Sequence, residues 1–113
     1  MQKACVRWFR YQFPSIIIHH SPNGGRRNAI EGAKFKEMGT LAGFPDLIIL
    51  SANKGYGALF IELKSDKGRQ SESQKRFQEY CENRCYAYSV VRSVDDFVNV
   101  VRSYLTTTSP YQI

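Results

Sequence analysis

Two apolar runs with charges at their ends constrain this chain more than any other feature. They are Asp46-Leu47-Ile48-Ile49-Leu50 and Ala58-Leu59-Phe60-Ile61-Glu62-Leu63-Lys64. Both read as β-strands, and the Ser-, Asn- and Gly-rich stretch from Ser51 to Gly57 reads as a hairpin-like connection between them. Side chains alternate along a strand, so Leu59, Ile61 and Leu63 face one way and Phe60, Glu62 and Lys64 the other. Glu62 and Lys64 thus share a face, and Asp46 comes beside Glu62 if the two strands pair. Two carboxylates held together repel unless something positive lies between them, and a divalent cation suits oxygen donors. The plainer alternative is that Glu62 and Lys64 form the solvated face of an edge strand and Asp46 is a turn residue. Against it, Pro45 fixes the backbone before Asp46. The unbroken run Leu47–Leu50 is also typical of a strand covered on both faces, where a charge at the end needs a reason.

Gly43-Phe44-Pro45-Asp46-Leu47, then Phe60-Ile61-Glu62-Leu63-Lys64, then Gly68, Ser71 and Gln74, together resemble the PD-(D/E)XK nuclease superfamily. More narrowly, the chain resembles the VRR-NUC (virus-type replication-repair nuclease) family, from its first helix to about Leu105. The resemblance implies an α/β fold, a central mixed sheet of four main strands flanked by helices, in a single nuclease domain over residues 1–105. It implies a metal-dependent endonuclease whose catalytic residues are Asp46, Glu62, Lys64 and Gln74. Asp46, Glu62 and the main-chain carbonyl of Leu63 are then the ligands of Mg2+ or Mn2+, which polarises the scissile phosphate and acidifies a water. Lys64 helps to generate hydroxide and stabilises the pentacovalent charge, and Gln74 braces the site. Short members of the family imply a phage-type homodimer cutting four-way (Holliday) junctions. Such relatives carry a Glu near the start of the first helix. Here the chain begins Met1-Gln2-Lys3 with no acid before Glu31, so the acid lies upstream or Gln2 substitutes for it. A DNA-binding module of this fold without catalysis and a restriction-type endonuclease on linear duplex are the alternatives.

At 113 residues the chain has room for one domain with a modest core. A net charge of +6 favours a polyanionic partner. No apolar run approaches the roughly 20 residues that span a bilayer, and Lys3, Arg7 and Arg10 interrupt any signal-peptide pattern. An intracellular protein of phage or bacterial cytoplasm is expected, with no membrane partner and no small-molecule cofactor. Cys5, Cys81 and Cys85 form no paired framework and read as buried structural thiols. His19 and His20 are the only histidines and point oppositely on a strand, so a zinc site or a Ser/His/Asp or Cys/His catalytic set is not expected.

Residues 2–13 read as a helix with an apolar stripe at Cys5, Trp8, Phe9 and Phe13, stopped by Pro14. Ile16–His19 reads as a strand. The polar stretch from Ser21 to Lys36 has Asn23-Gly24-Gly25-Arg26-Arg27-Asn28 at its tip. Arg26, Arg27, Lys34 and Lys36 are candidate phosphate contacts there, with an ordinary solvated loop as the alternative. Residues 35–41 read as a short helical turn. Lys67 and Arg69 follow the second strand and are further candidates for contacting DNA. Ser71-x-x-Gln74 fits a helix capping box, a structural role that competes with the catalytic one. Phe77, Tyr80, Cys81 and Arg84 read as that helix's inward stripe. Tyr86–Val91 reads as a strand, and Ser93 starts a last helix that buries Phe97, Val98, Val101 and Leu105. Residues 106–113 read as a loosely held tail.

Overall fold

The computed structural model describes residues 1–22, 34 and 37–105. Arg26, Arg27 and Lys36 of the basic stretch and the tail 106–113 lie outside the described residues. In chain order the elements are α1 (Gln2–Gln12), β1 (Ile17–His20), β2 (Leu47–Leu50), β3 (Leu59–Leu63), α2 (Glu72–Glu82), β4 (Ala87–Val91) and α3 (Val94–Leu105). The strands form one mixed sheet in the order β1-β2-β3-β4, antiparallel from β1 to β3 and parallel between β3 and β4. The α/β class and the four-stranded mixed sheet are as expected.

Local chemistry explains the joints. Between β2 and β3, Asn53 and Tyr56 exchange main-chain hydrogen bonds at 2.9 and 2.8 Å. Lys54 and Gly55 between them both have positive φ, 55° and 85°, the pattern of a tight hairpin turn whose twist matches its strands. The parallel pairing of β3 with β4 requires a crossover, which α2 supplies. Met38 N–H bonds to the carbonyl of Lys34 at 3.2 Å, one helical turn that ends at Gly39 with φ +103°.

Alternation divides the sheet into two packed faces. On one, Cys5 and Phe9 of α1 and Phe97, Val101 and Tyr104 of α3 meet Leu47, Ile49, Leu59, Ile61 and Val91. On the other, Phe77 and Cys81 of α2 meet Ala58 and Phe60, with Phe44, Ile48, Tyr86 and Tyr88 packed around them. The Phe77 ring lies 5.0 Å from Phe44 and 5.2 Å from Phe60. Cover on both sides accounts for the apolar run Leu47–Ile49, while Leu50, expected to be covered as well, is 52% exposed at the strand's end. Truncating a fully buried ring such as Phe9 or Phe97 to Ala costs roughly 3–5 kcal/mol.

Three packing expectations need correction. Tyr80 is 50% exposed and Arg84 is exposed; the guanidinium lies over the Tyr80 ring, 5.0 Å from its centroid, so only Phe77 and Cys81 of that stripe point inward. Cys85 is exposed because α2 ends at Glu82 and Cys85 occupies the turn beyond with φ 59°. In α3 the buried set is Phe97, Val101 and Tyr104; Tyr104 is added because its hydroxyl donates to the carbonyl of Ser51 at 2.6 Å. No helix among the described residues is long and apolar enough to cross a membrane.

Candidate active site

The carboxylates meet where three strands end together. Asp46 sits one residue before β2, and Glu62 and Leu63 close β3, which runs antiparallel to it. Asp46 Oδ2 accepts the main-chain N–H of Leu63 at 2.7 Å. The main-chain carbonyl of Asp46 accepts from Ser21 N and from His20 Nδ1, both at 3.0 Å. Side-chain donors and main-chain bonds from both neighbouring strands thus hold Asp46 in place. Glu62 projects on the α2 face beside it.

Gly43 explains how α2 reaches this point. It has φ +83°, and a Cβ there would lie 2.5 Å from the carbonyl carbon and oxygen of Ser73 and 2.8 Å from the nitrogen of Gln74. Only glycine lets the segment leading to Pro45-Asp46 pass this close to the first turn of α2. That turn is tied by a complete capping box: Ser71 Oγ accepts from Gln74 N at 3.2 Å, and Gln74 Oε1 accepts from Ser71 N at 2.8 Å. With its oxygen engaged by the cap, Gln74 offers its amide N–H groups to Glu62. The two readings of Gln74 are therefore compatible in one side chain.

Glu62 is the one buried charged residue of the described chain, 3% exposed, and its Oε1 has no hydrogen-bond partner. Burial above all, then the hydrogen bond and the negative charge of Asp46, push its pKa up to about 8; the Lys64 charge and the Gln74 amide oppose this. Burial next to a second carboxylate favours the neutral form of such a carboxyl. Tyr88, on the same face, is pushed up to about 12 chiefly by burial, and its hydroxyl takes a 3.2 Å hydrogen bond from Gln70. Lys64 is half-buried at the strand end, while Lys34, Lys67 and Arg69 are exposed. Lys67 and Arg69 lie on the loop that leaves the carboxylate end.

The donor set fits a hard divalent ion. Two carboxylates, one with an orphaned buried oxygen, and the adjacent carbonyl of Leu63 are all oxygen ligands. Among the described residues no group of three or more His, Cys, Asp or Glu converges on a metal-sized site.

A family model described as the VRR-NUC domain matches residues 1–95. The chain belongs to the VRR-NUC family. A solved structure titled "VRR_NUC domain protein" is similar at 30% identity with a TM-score of 0.77, covering 93% of this chain and 84% of that one. No curated protein matches. A VRR-NUC domain carries a nuclease-type function with DNA as substrate.

Two residues that hold the chain around these carboxylates were given no such role from the sequence of this VRR-NUC member. Arg92, just after β4, donates from one guanidinium nitrogen to the carbonyls of Ser65 and Gly68, both at 2.7 Å, and holds the loop that follows Lys64. His20 donates to Asp46 from the neighbouring strand. Neither lies in a motif; a basic residue flanking a strand end is the only signal either one offers.

Proposed function

We propose that this VRR-NUC chain is a metal-dependent, structure-selective endonuclease that hydrolyses phosphodiester bonds in branched DNA, four-way junctions among them. The observation that carries the reading is Glu62, buried beside the half-buried Asp46 with one carboxylate oxygen unpartnered, an arrangement that costs stability. Asp46, Glu62 and the Leu63 carbonyl are the residues to hold Mg2+ or Mn2+. When bound there, such an ion supplies positive charge to the scissile phosphate and to the attacking water. Lys64, anchored at the end of β3, places an ammonium beside Glu62 and stabilises the negative charge that develops on the phosphoryl oxygens. Gln74 orients Glu62 through its amide while its oxygen stays with the helix cap. Lys34, Lys67 and Arg69, with Arg26, Arg27 and Lys36, are proposed phosphate contacts.

Phosphate contacts carry no base information, and one domain over residues 1–105 has little surface for reading a sequence, so the shape of the DNA is the feature recognised. A two-fold homodimer presents two such sites to two strands of a junction. The test is incubation with end-labelled linear, flapped, splayed and four-way DNA in Mg2+, Mn2+ or EDTA. Metal-dependent cutting of branched forms is expected, abolished in Asp46→Ala and in Glu62→Ala with the fold retained by circular dichroism. Cutting that survives in both variants sinks the site assignment; preference for a fixed sequence in linear duplex sinks the substrate assignment.

A further inference from the structure

α1 has a second face that the core does not use. Cys5 and Phe9 turn inward, while Lys3, Arg7 and Arg10 are all exposed. At 100° per residue, the spacing i, i+4, i+7 places these three cations in one stripe about 60° wide and about 10 Å long. No acid occurs anywhere in α1. Lys3 stands in the first turn, where the helix dipole disfavours a cation, so helix stability does not account for it.

The stripe borders a hollow. Gln2, Lys3, Val6, Arg7 and Arg10 line it together with His20 around a volume of about 500 Å3, and none of these described residues is acidic. His20 links the hollow to the candidate active site, since its Nδ1 donates to the main-chain carbonyl of Asp46. The hollow opens on the α1 face of the sheet and the carboxylates on the α2 face. Both lie at the same sheet end, which β1 reaches at His20, β2 leaves after Asp46 and β3 reaches at Leu63.

We infer that this hollow is a phosphate track: Lys3, Arg7 and Arg10 bind the sugar–phosphate backbone of the DNA strand as it approaches the Asp46–Glu62 end of the sheet. The inference rests on the nucleic-acid reading of that site and extends it to a surface on the opposite face. One strand of B-form DNA carries a phosphate every 3.4 Å of axis, so a stripe about 10 Å long matches about three phosphates. Charge complementarity selects this occupant over a second copy of the chain. A two-fold contact through α1 would set the stripe against itself, like charge on like.

The experiment measures binding of fluorescein-labelled four-way DNA by anisotropy from about 50 to 300 mM salt, in EDTA and again in Ca2+. The unmodified chain is compared with Lys3→Ala/Arg7→Ala/Arg10→Ala and with Arg7→Lys/Arg10→Lys. Each released phosphate contact is worth about 0.9 in the slope of log K against log salt. The triple alanine variant is expected to lose about 2 to 3 from that slope and at least ten-fold in affinity near 0.1 M salt. The lysine variant keeps the slope, because charge and not packing is what the track requires. All three chains are expected to share one far-ultraviolet spectrum and one sedimentation coefficient. An unchanged slope in the alanine variant overturns the inference, as does a slope lost equally in the lysine variant, or an unmodified chain that binds in neither medium. A variant whose slope is unchanged but whose sedimentation shifts makes α1 an interface between copies and overturns it too. Cutting in Mg2+ or Mn2+ is scored separately, so an active enzyme with an unaltered slope removes the α1 track alone. Slope loss in a chain that cuts nothing removes only the catalytic reading.

Discussion

The carboxylate of Asp46 and the main-chain N–H of Leu63 are joined by a 2.7 Å hydrogen bond across 17 residues of chain. That bond spends one Asp46 oxygen on holding the two strand ends together, and it fixes the acid beside Glu62. Position and charge can therefore be separated. Asp46→Asn keeps an oxygen able to accept from Leu63 and removes the negative charge. In metal-free protein it is expected to lower the Glu62 pKa from about 8, though not to the ordinary 4.5, because burial is the largest cause of the shift. Carbon-detected NMR titration of the Glu62 carboxyl reads this directly. An unchanged titration would show that Asp46 is not the charged partner.

The same carboxyl predicts how stability follows pH. Its folded pKa lies above its unfolded one, so between pH 4.5 and about 8 the folded chain keeps a proton that the unfolded chain has released. Stability contributed by Glu62 is then fully present below pH 4.5 and is lost as pH rises to about 8, by at most about 1.4 kcal/mol per pH unit. Glu62→Gln carries no such proton and is expected to flatten the metal-free curve over that window. On the proposed metal-binding role of Glu62, Mn2+ would take the place of the proton, and its stabilising effect on the unmodified chain is expected to be larger at pH 8 than at pH 6. Urea melts in EDTA and in Mn2+ across that range decide it. Parallel curves for the unmodified and Gln chains would refute the account.

Gly43 makes a third prediction. Alanine there meets the Ser73 carbonyl at 2.5 Å and must also hold φ +83°. The neighbour is helix backbone, so α2 has to move. Gly43→Ala is expected to cost about 2 kcal/mol or more and to reduce cutting beyond what the lost stability explains, because Gln74 moves with the turn. The contrast is Gly39→Ala, where nothing lies near the added Cβ and only the φ of +103° is strained. Equal loss of cutting in the two variants at equal stability would remove Gly43 from the positioning of the site.

The strands and the acids at their ends were legible because alternation is local: knowing that Leu59, Ile61 and Leu63 share a face already puts Phe60 and Glu62 on the other. The cap at Ser71 and Gln74 was legible for the same reason, being three residues apart. What escaped is tertiary. Arg92 acts through carbonyls 24 to 27 residues earlier in the chain, and no spacing rule connects a guanidinium to carbonyls that far back. Tyr104 packs its ring with Phe97 and Val101, and the hydroxyl is satisfied there by the carbonyl of Ser51, 53 residues away. Cys85 looked inward because a four-residue spacing from Cys81 presumes that the helix continues, and it stops at Glu82. The pairing of Asp46 with Leu63 lies between these cases: a hairpin implies proximity, but the register that joins these two atoms comes from the sheet.

Gln74 has two duties, and a pair of variants separates them. Ser71→Ala removes the hydroxyl that accepts from Gln74 N but leaves the Gln74 side chain, so it reports the cap alone, at about 1 kcal/mol. Gln74→Ala removes the return bond to Ser71 N and also the amide that favours ionised Glu62. If Gln74 serves only the helix, the two variants lose similar stability and similar cutting. If its amide orients Glu62, Gln74→Ala loses at least ten-fold more turnover than Ser71→Ala at matched fraction folded, and its pH–rate profile moves upward because Glu62 ionises later. Gln74→Glu sharpens the distinction: a carboxylate still accepts from Ser71 N and keeps the cap, yet it sets a third negative charge beside Asp46 and Glu62 and removes the donor. Its helix is expected to be as stable as the unmodified one while turnover falls as far as in Gln74→Ala. A Glu variant that cuts normally would assign Gln74 to the cap and leave Glu62 to be oriented by the strand alone.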